Sequence, residues 1–170
     1  MGCRPRRFGR VEGLLIAAGA SLVLAFDPFG LWFLAPVPIA CLFRAVHAVS
    51  PARALWRGWL FGLGLFSVGL FWIVESFQYN HIALPVAIVL TGGLVALMAL
   101  YPGLMCLACR WAFRRTVTPF TALGLAWVLV EWIRGVAFTG FTWLEVGVAQ
   151  VNGPLAGWLP LGGSYAAGAW

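Results

Sequence analysis

Uncharged runs, each closed by a charged residue or by a turn, set the pattern of this chain: 13–26, 31–43, 59–74 and 82–109. The last holds 28 residues without a charge, more than the ~20 that a membrane-crossing helix needs. The first two are shorter, 14 and 13 residues, and Asp27-Pro28-Phe29-Gly30 between them is a turn sequence. A tight hairpin of two short helices fits this region, and so does a single broken crossing. The hairpin is preferred because it puts Arg10 and Arg44 on one side. The run at 59–74 closes with Glu75 and Ser76, and Gly58, Gly62 and Gly69 form a strip that lets a neighbouring helix approach. Pro85 suits the first turn of the long helix, and Tyr101-Pro102-Gly103 predicts a kink near its far end. Thr118-Pro119 opens a further helix that reaches Glu131 or Arg134. Beyond Gly135 the chain reads as irregular to Gln150. A last apolar stretch follows, broken by Pro160 and Gly162-Gly163.

Composition makes this pattern a membrane pattern. Of 170 residues 62% are hydrophobic and 9% charged, against about 25% charged in soluble domains, and the mean hydropathy is +0.94. The net charge of +6 comes from eleven arginines with no lysine. Ten of them fall in three places: the N-terminus, the 44–57 connection and the 110–115 connection. Such clustering speaks for orientation in a bilayer and against nucleic acid as a partner. The expected architecture is therefore an all-α, polytopic transmembrane bundle with a cytoplasmic N-terminus. Its five spans lie at about 11–27, 30–46, 58–77, 82–109 and 118–135, with the start of a sixth segment at 154–170. A 135–153 loop falls on the outer side, and Trp32, Trp56, Trp59, Trp111 and Trp132 stand near span ends. Cys106 and Cys109, in an apolar helix without histidine or carboxylate neighbours, read as packing residues. His47 and His81 fall on opposite sides in this topology, so no metal site and no cofactor are expected.

Polar chemistry concentrates between Glu131 and Gln150. Glu131 and Arg134 are three residues apart on one helix, close enough to pair. A charge deep in a bilayer costs about 2.5–3.5 kcal/mol, so they lie at the interface or line a polar cavity. Glu75 closes its span on the same side. Thr139-Gly140-Phe141-Thr142-Trp143 is a turn with aromatic anchors suited to the headgroup layer. These residues also mark an ion or substrate path in a transporter-like protein, but that reading calls for a second similar half, and no internal repeat is visible. A non-catalytic membrane scaffold is the other alternative.

E-W-x-R-G at 131–135, T-G-F-x-W-L at 139–144, then Gly147, Gln150 and Pro154-Leu155 together resemble the membrane region of bacterial apolipoprotein N-acyltransferases. Gly69 with Trp72, Pro119, and Pro160 with Gly163 match as well. Thr142 stands where the family usually has Pro, and Val148-Ala149 where it has Tyr-Ser or Tyr-Thr. The resemblance implies transfer of a fatty acyl group from a phospholipid to the N-terminal cysteine amine of a diacylated apolipoprotein. It also implies a multi-pass protein of the bacterial inner membrane, with the 135–153 loop periplasmic and a monomeric state favoured. In the family, which has eight membrane helices, a Glu-Lys-Cys triad sits in a nitrilase-like domain on the outer side that follows the seventh. Without lysine these 170 residues cannot build that triad, so no catalytic residue is assigned and the chain alone is expected to be inactive, as a fragment. Glu75, Glu131, Arg134, Thr139, Phe141, Trp143 and Gln150 are the candidates for lining a lipid-accessible cavity.

Overall fold

Prolines and glycines decide where the helices begin and how closely they pack. The computed structural model describes residues 8–137 and 140–168. Helix α1 (Phe8–Leu22) runs into a 3-10 turn, and the Asp27–Gly30 corner returns the chain through Trp32–Leu34 into α2 (Pro36–Val46). Ser50 is extended and Pro51 then opens α3 (Pro51–Gly69), as suits a residue whose missing N–H has no partner there anyway. A bend of 46° separates α3 from the short α4 (Trp72–Tyr79). Helix α5 (Leu84–Ala112) follows and continues through Pro102. Extended Pro119 leads into α6 (Phe120–Val136), and after two 3-10 turns α7 (Leu159–Ala167) closes the described chain.

Helix α3 is the centre of the packing, held between α1 and α5. A Cβ on Gly64 would lie 2.0 Å from the Ile16 carbonyl oxygen, and one on Gly19 2.0 Å from that of Phe61. On the other face, a Cβ on Gly58 would meet the Pro102 carbonyl oxygen at 2.5 Å, and one on Gly62 would meet Ala99 Cα at 2.7 Å. Backbones this close gain dispersion contacts along their length, which is how apolar helices associate where lipid offers no hydrophobic drive. Phe61, Leu65 and Phe66 fill the core between these contacts.

The all-α character holds, but five spans do not. Among the described residues one helix, α5, is long and apolar enough to cross a membrane, and a second exists only if bent α3–α4 counts as one. At 1.5 Å per residue, α1 with 15 residues, α2 with 11 and α6 with 17 reach roughly 17–26 Å, short of the ~30 Å hydrocarbon core. Uncharged sequence is not helix length: the corner after Ala25, the late start of α2 at Pro36 and the stop of α3 at Gly69 each interrupt an apolar run. The multi-pass inner-membrane placement, with its cytoplasmic N-terminus and periplasmic loop, rested on five crossings. It is corrected to a membrane-associated helical protein with one candidate span. Helix α5 suits that role, since only 28% of its apolar window is buried by the protein.

Candidate functional site

The polar stretch after α6 folds back onto the helix that precedes it. Ala137 is extended and Gly140 has φ +84°, a left-handed conformation that favours glycine. A Cβ on Gly140 would lie 2.3 Å from the Gly135 carbonyl oxygen, so the reversal also needs glycine for space. Phe141 N–H then donates to the Arg134 carbonyl at 2.8 Å.

Three buried charged side chains fix the returning segment. Glu131 Oε1 accepts the Val146 backbone N–H at 2.9 Å. Arg134 Nη1 donates to the Trp143 carbonyl, and its guanidinium lies 5.5 Å from the Phe66 ring centroid. Glu145 accepts from Ser164 Oγ at 2.6 Å and from the Tyr165 hydroxyl at 3.1 Å, which joins the segment to α7. Glu131, Arg134 and Glu145 are 5%, 3% and 3% exposed, so burying each charge depends on these bonds. Glu131 Oε2 and the neighbouring Trp127 Nε1 are buried without a hydrogen-bond partner. Burial pushes the Glu131 carboxyl up to about 7, against the pull of the Val146 N–H and of Arg134.

The sequence-predicted residues separate in space. Glu131 and Arg134 share the site, but among the described residues no ion pair joins them: the sequence spacing allows one, and each is directed to loop backbone instead. Trp143 is half exposed and packs on Trp72 of α4, with ring centroids 5.3 Å apart. Phe141 is partly buried against the core. Gln150 is fully buried, its Nε2 toward the Trp32 carbonyl at 3.5 Å and its Oε1 unpartnered. Glu75 is exposed one turn after Trp72, with no hydrogen bond or ion pair to Glu131 or Arg134. Thr139 lies outside the described residues.

Sequence reasoning missed Glu145, Ser164 and Tyr165 as a connected set. The signal was present: an acid between Leu144 and Val146 has to be buried with donors, and Ser164-Tyr165 supplies two hydroxyls downstream. It also missed Arg110, read only as a helix stop. Arg110 is 5% exposed and donates to four oxygens, of Val49, Phe113, Thr116 and Thr118, at 2.8–3.0 Å.

An apolar groove of about 650 Å³ opens between α2 and α6. Ile39 and Phe43 line one wall, Gly124, Leu125 and Trp127 the other, and Val146 lines part of it as well. A Cβ on Gly124 would meet nothing within 4 Å.

Comparison with known proteins agrees with the sequence motifs around this site. The sequence profile of the apolipoprotein N-acyltransferase N-terminal domain matches residues 18–170. The apolipoprotein N-acyltransferase of Bordetella bronchiseptica is 42% identical over 175 residues, covering 92% of this chain and 32% of that protein. That of Pseudomonas putida is 44% identical, covering 89% and 31%, and that of Vibrio vulnificus is 34% identical, covering 92% and 32%. The chain thus spans about a third of the length of these relatives, and the Glu-Lys-Cys triad is not among its residues. The chain belongs to the apolipoprotein N-acyltransferase family, through its N-terminal domain.

Proposed function

We propose that residues 1–170 form the N-terminal membrane portion of an enzyme that transfers a fatty acyl chain from a phospholipid to the N-terminal cysteine amine of a diacylated apolipoprotein. The chain's part is to hold lipid beneath a catalytic domain of the kind its longer relatives carry. One observation supports this above the rest: the apolar groove is lined in part by Val146, whose N–H is bound by Glu131. The groove offers an acyl chain an apolar channel, and the polar loop stands where a headgroup would follow. Glu131 and Arg134 act as positioning residues that seat the loop. Trp143, half exposed and packed on Trp72, stands at the loop surface toward substrate, and Gln150 braces the loop on Trp32.

Gly124→Leu tests this reading, because it fills the groove at a point where a Cβ has open space. Leucine also favours the helix over glycine by up to about 1 kcal/mol, so the fold is expected to survive. In a protein extended to the length of the relatives, the variant loses acyl transfer to a diacylated lipopeptide and keeps its unfolding temperature. Unchanged transfer with the groove filled would remove the groove from the mechanism. The 170-residue chain alone transfers nothing in the same assay.

A further inference from the structure

One end of the helix bundle gathers the basic residues of four helices. The starts of α1 and α3 and the ends of α2 and α5 meet there, which brings together Arg10, Arg44, Arg53, Arg57, Arg110, Arg114 and Arg115. Two of these guanidiniums hold the end together. Arg57 donates to the Ala45 carbonyl at 2.5 Å. Arg110 ties the turn after α2, through Val49, to the 113–118 connection, and Thr118 N–H reinforces the tie on the His47 carbonyl at 2.9 Å. Arg44, Arg114 and Arg115 are exposed on this locked surface. The one acid at this end among the described residues is Glu12, which accepts from Trp56 Nε1 at 3.2 Å.

The face of α5 that leads to this end has a graded character. Leu97, Leu104 and Trp111 repeat every seven residues on one helix face, exposed by 51%, 52% and 63%. Arg114 then stacks on Trp111, its Cζ 5.2 Å from the ring centroid. Aliphatic side chains, then an exposed indole, then guanidiniums reproduce the order of hydrocarbon, interface and headgroup across a leaflet. A nucleic acid would need a polar flank beside the basic surface, and here the flank is aliphatic.

We propose that Arg44, Arg114 and Arg115, at the bundle end that Trp111 borders, form a docking surface for the headgroups of anionic phospholipids, distinct from the groove beside Glu131. The stacked Arg114 guanidinium presents its N–H edge to phosphate oxygens while its face stays on the indole. Trp111 sets the depth, at the boundary between tails and headgroups.

The test uses this chain in neutral detergent micelles holding phosphatidylglycerol and phosphatidylcholine in equal amounts, with the lipids retained by the protein measured by native mass spectrometry. Phosphatidylglycerol is expected to be enriched several-fold, because each arginine near an anionic surface contributes about fivefold. Arg44→Gln, Arg114→Gln and Arg115→Gln each lower the enrichment, the triple variant removes it, and high salt removes it from the wild type. Trp111→Ala weakens it with the charges intact. All four side chains are exposed, and circular dichroism checks that each variant keeps its helices. Equal retention of the two lipids, or enrichment that survives in the folded triple variant, overturns the proposal. Inorganic phosphate that competes the lipid off at equal concentration also overturns it, in favour of a free-anion site.

Discussion

The side chain of Leu144 occupies the space that a Cβ on Gly69 would need: Cδ1 would stand 2.2 Å from that atom, and Cδ2 and Cγ 3.1 Å. Leu144 has φ +62°, which is sterically disfavoured for a residue with a side chain, yet it is held at 9% exposure. The polar loop is therefore seated by an apolar knob at the last turn of α3, as well as by its hydrogen bonds to α6.

Gly69→Ala is expected to lower stability by about 1–3 kcal/mol, the usual cost of overpacking a filled site. Leu144→Ala destabilises too, by leaving a void. Because the two act on one contact, Gly69→Ala/Leu144→Ala should cost less than the sum of the single changes. Thermal unfolding of the four proteins in detergent reads this out, and additive costs would mean that the knob and notch do not seat the loop.

Arg134 is the cation between two buried carboxylates, and its removal leaves Glu131 and Glu145 uncompensated. Arg134→Gln is expected to cost about 1.5–3 kcal/mol, the worth of a hydrogen bond from a charged donor, because among the described residues no direct ion pair is broken. It also frees the Trp143 carbonyl, so limited proteolysis should cut between residues 140 and 150 sooner than in the wild type. A variant that resists protease as the parent does would show that the loop is held elsewhere.

Arg110→Ala unties the turn after α2 from the 113–118 connection. Four acceptors lose one donor side chain, and a loss of about 3 kcal/mol or more is expected, equal to one or two hydrogen bonds to a charged group. Arg110→Lys keeps the charge but not the planar fork that reaches several oxygens, so it recovers part of the loss. Hydrogen exchange at the Thr118 N–H follows the tie directly; unchanged protection in Arg110→Ala would count against it.

Much of this architecture was written in the sequence, and the errors share one cause. Hydropathy marks Ile82 to Cys109 correctly as the long apolar helix, because no corner interrupts that run and the helix continues even through Pro102. It misleads at 13–26 and 31–43, where apolar residues continue through a corner and 3-10 turns, and at 59–74, where α3 ends and bends. Gly58, Gly62 and Gly69 announced close packing, but Gly19 and Gly64, the notches between α1 and α3, carry no comparable spacing. At the site, Glu131 and Arg134 stand out as charges in an apolar helix. Their partners are loop backbone atoms, which a side-chain pattern cannot reveal. The burial of Glu145 was legible from its apolar neighbours, but that Ser164 and Tyr165 are its partners follows only once α7 is known to return to the loop.

Glu131 gives the site a pH dependence with a defined sign. Its carboxyl is raised in the fold from an ordinary 4.5 to about 7, first by burial. The protonated form is thus favoured by the folded chain relative to the unfolded one. The stability it contributes is fully present below 4.5 and is lost as pH rises through about 7. Glu131→Gln retains an oxygen that can accept the Val146 N–H and removes the titration. The wild type and the variant should therefore unfold at similar temperatures in acid, and the variant should become the more stable of the two above neutrality. Melting curves across this window give that difference directly. Parallel pH profiles would mean that the Glu131 carboxyl titrates alike in the folded and unfolded chain, with the Val146 N–H and Arg134 offsetting its burial.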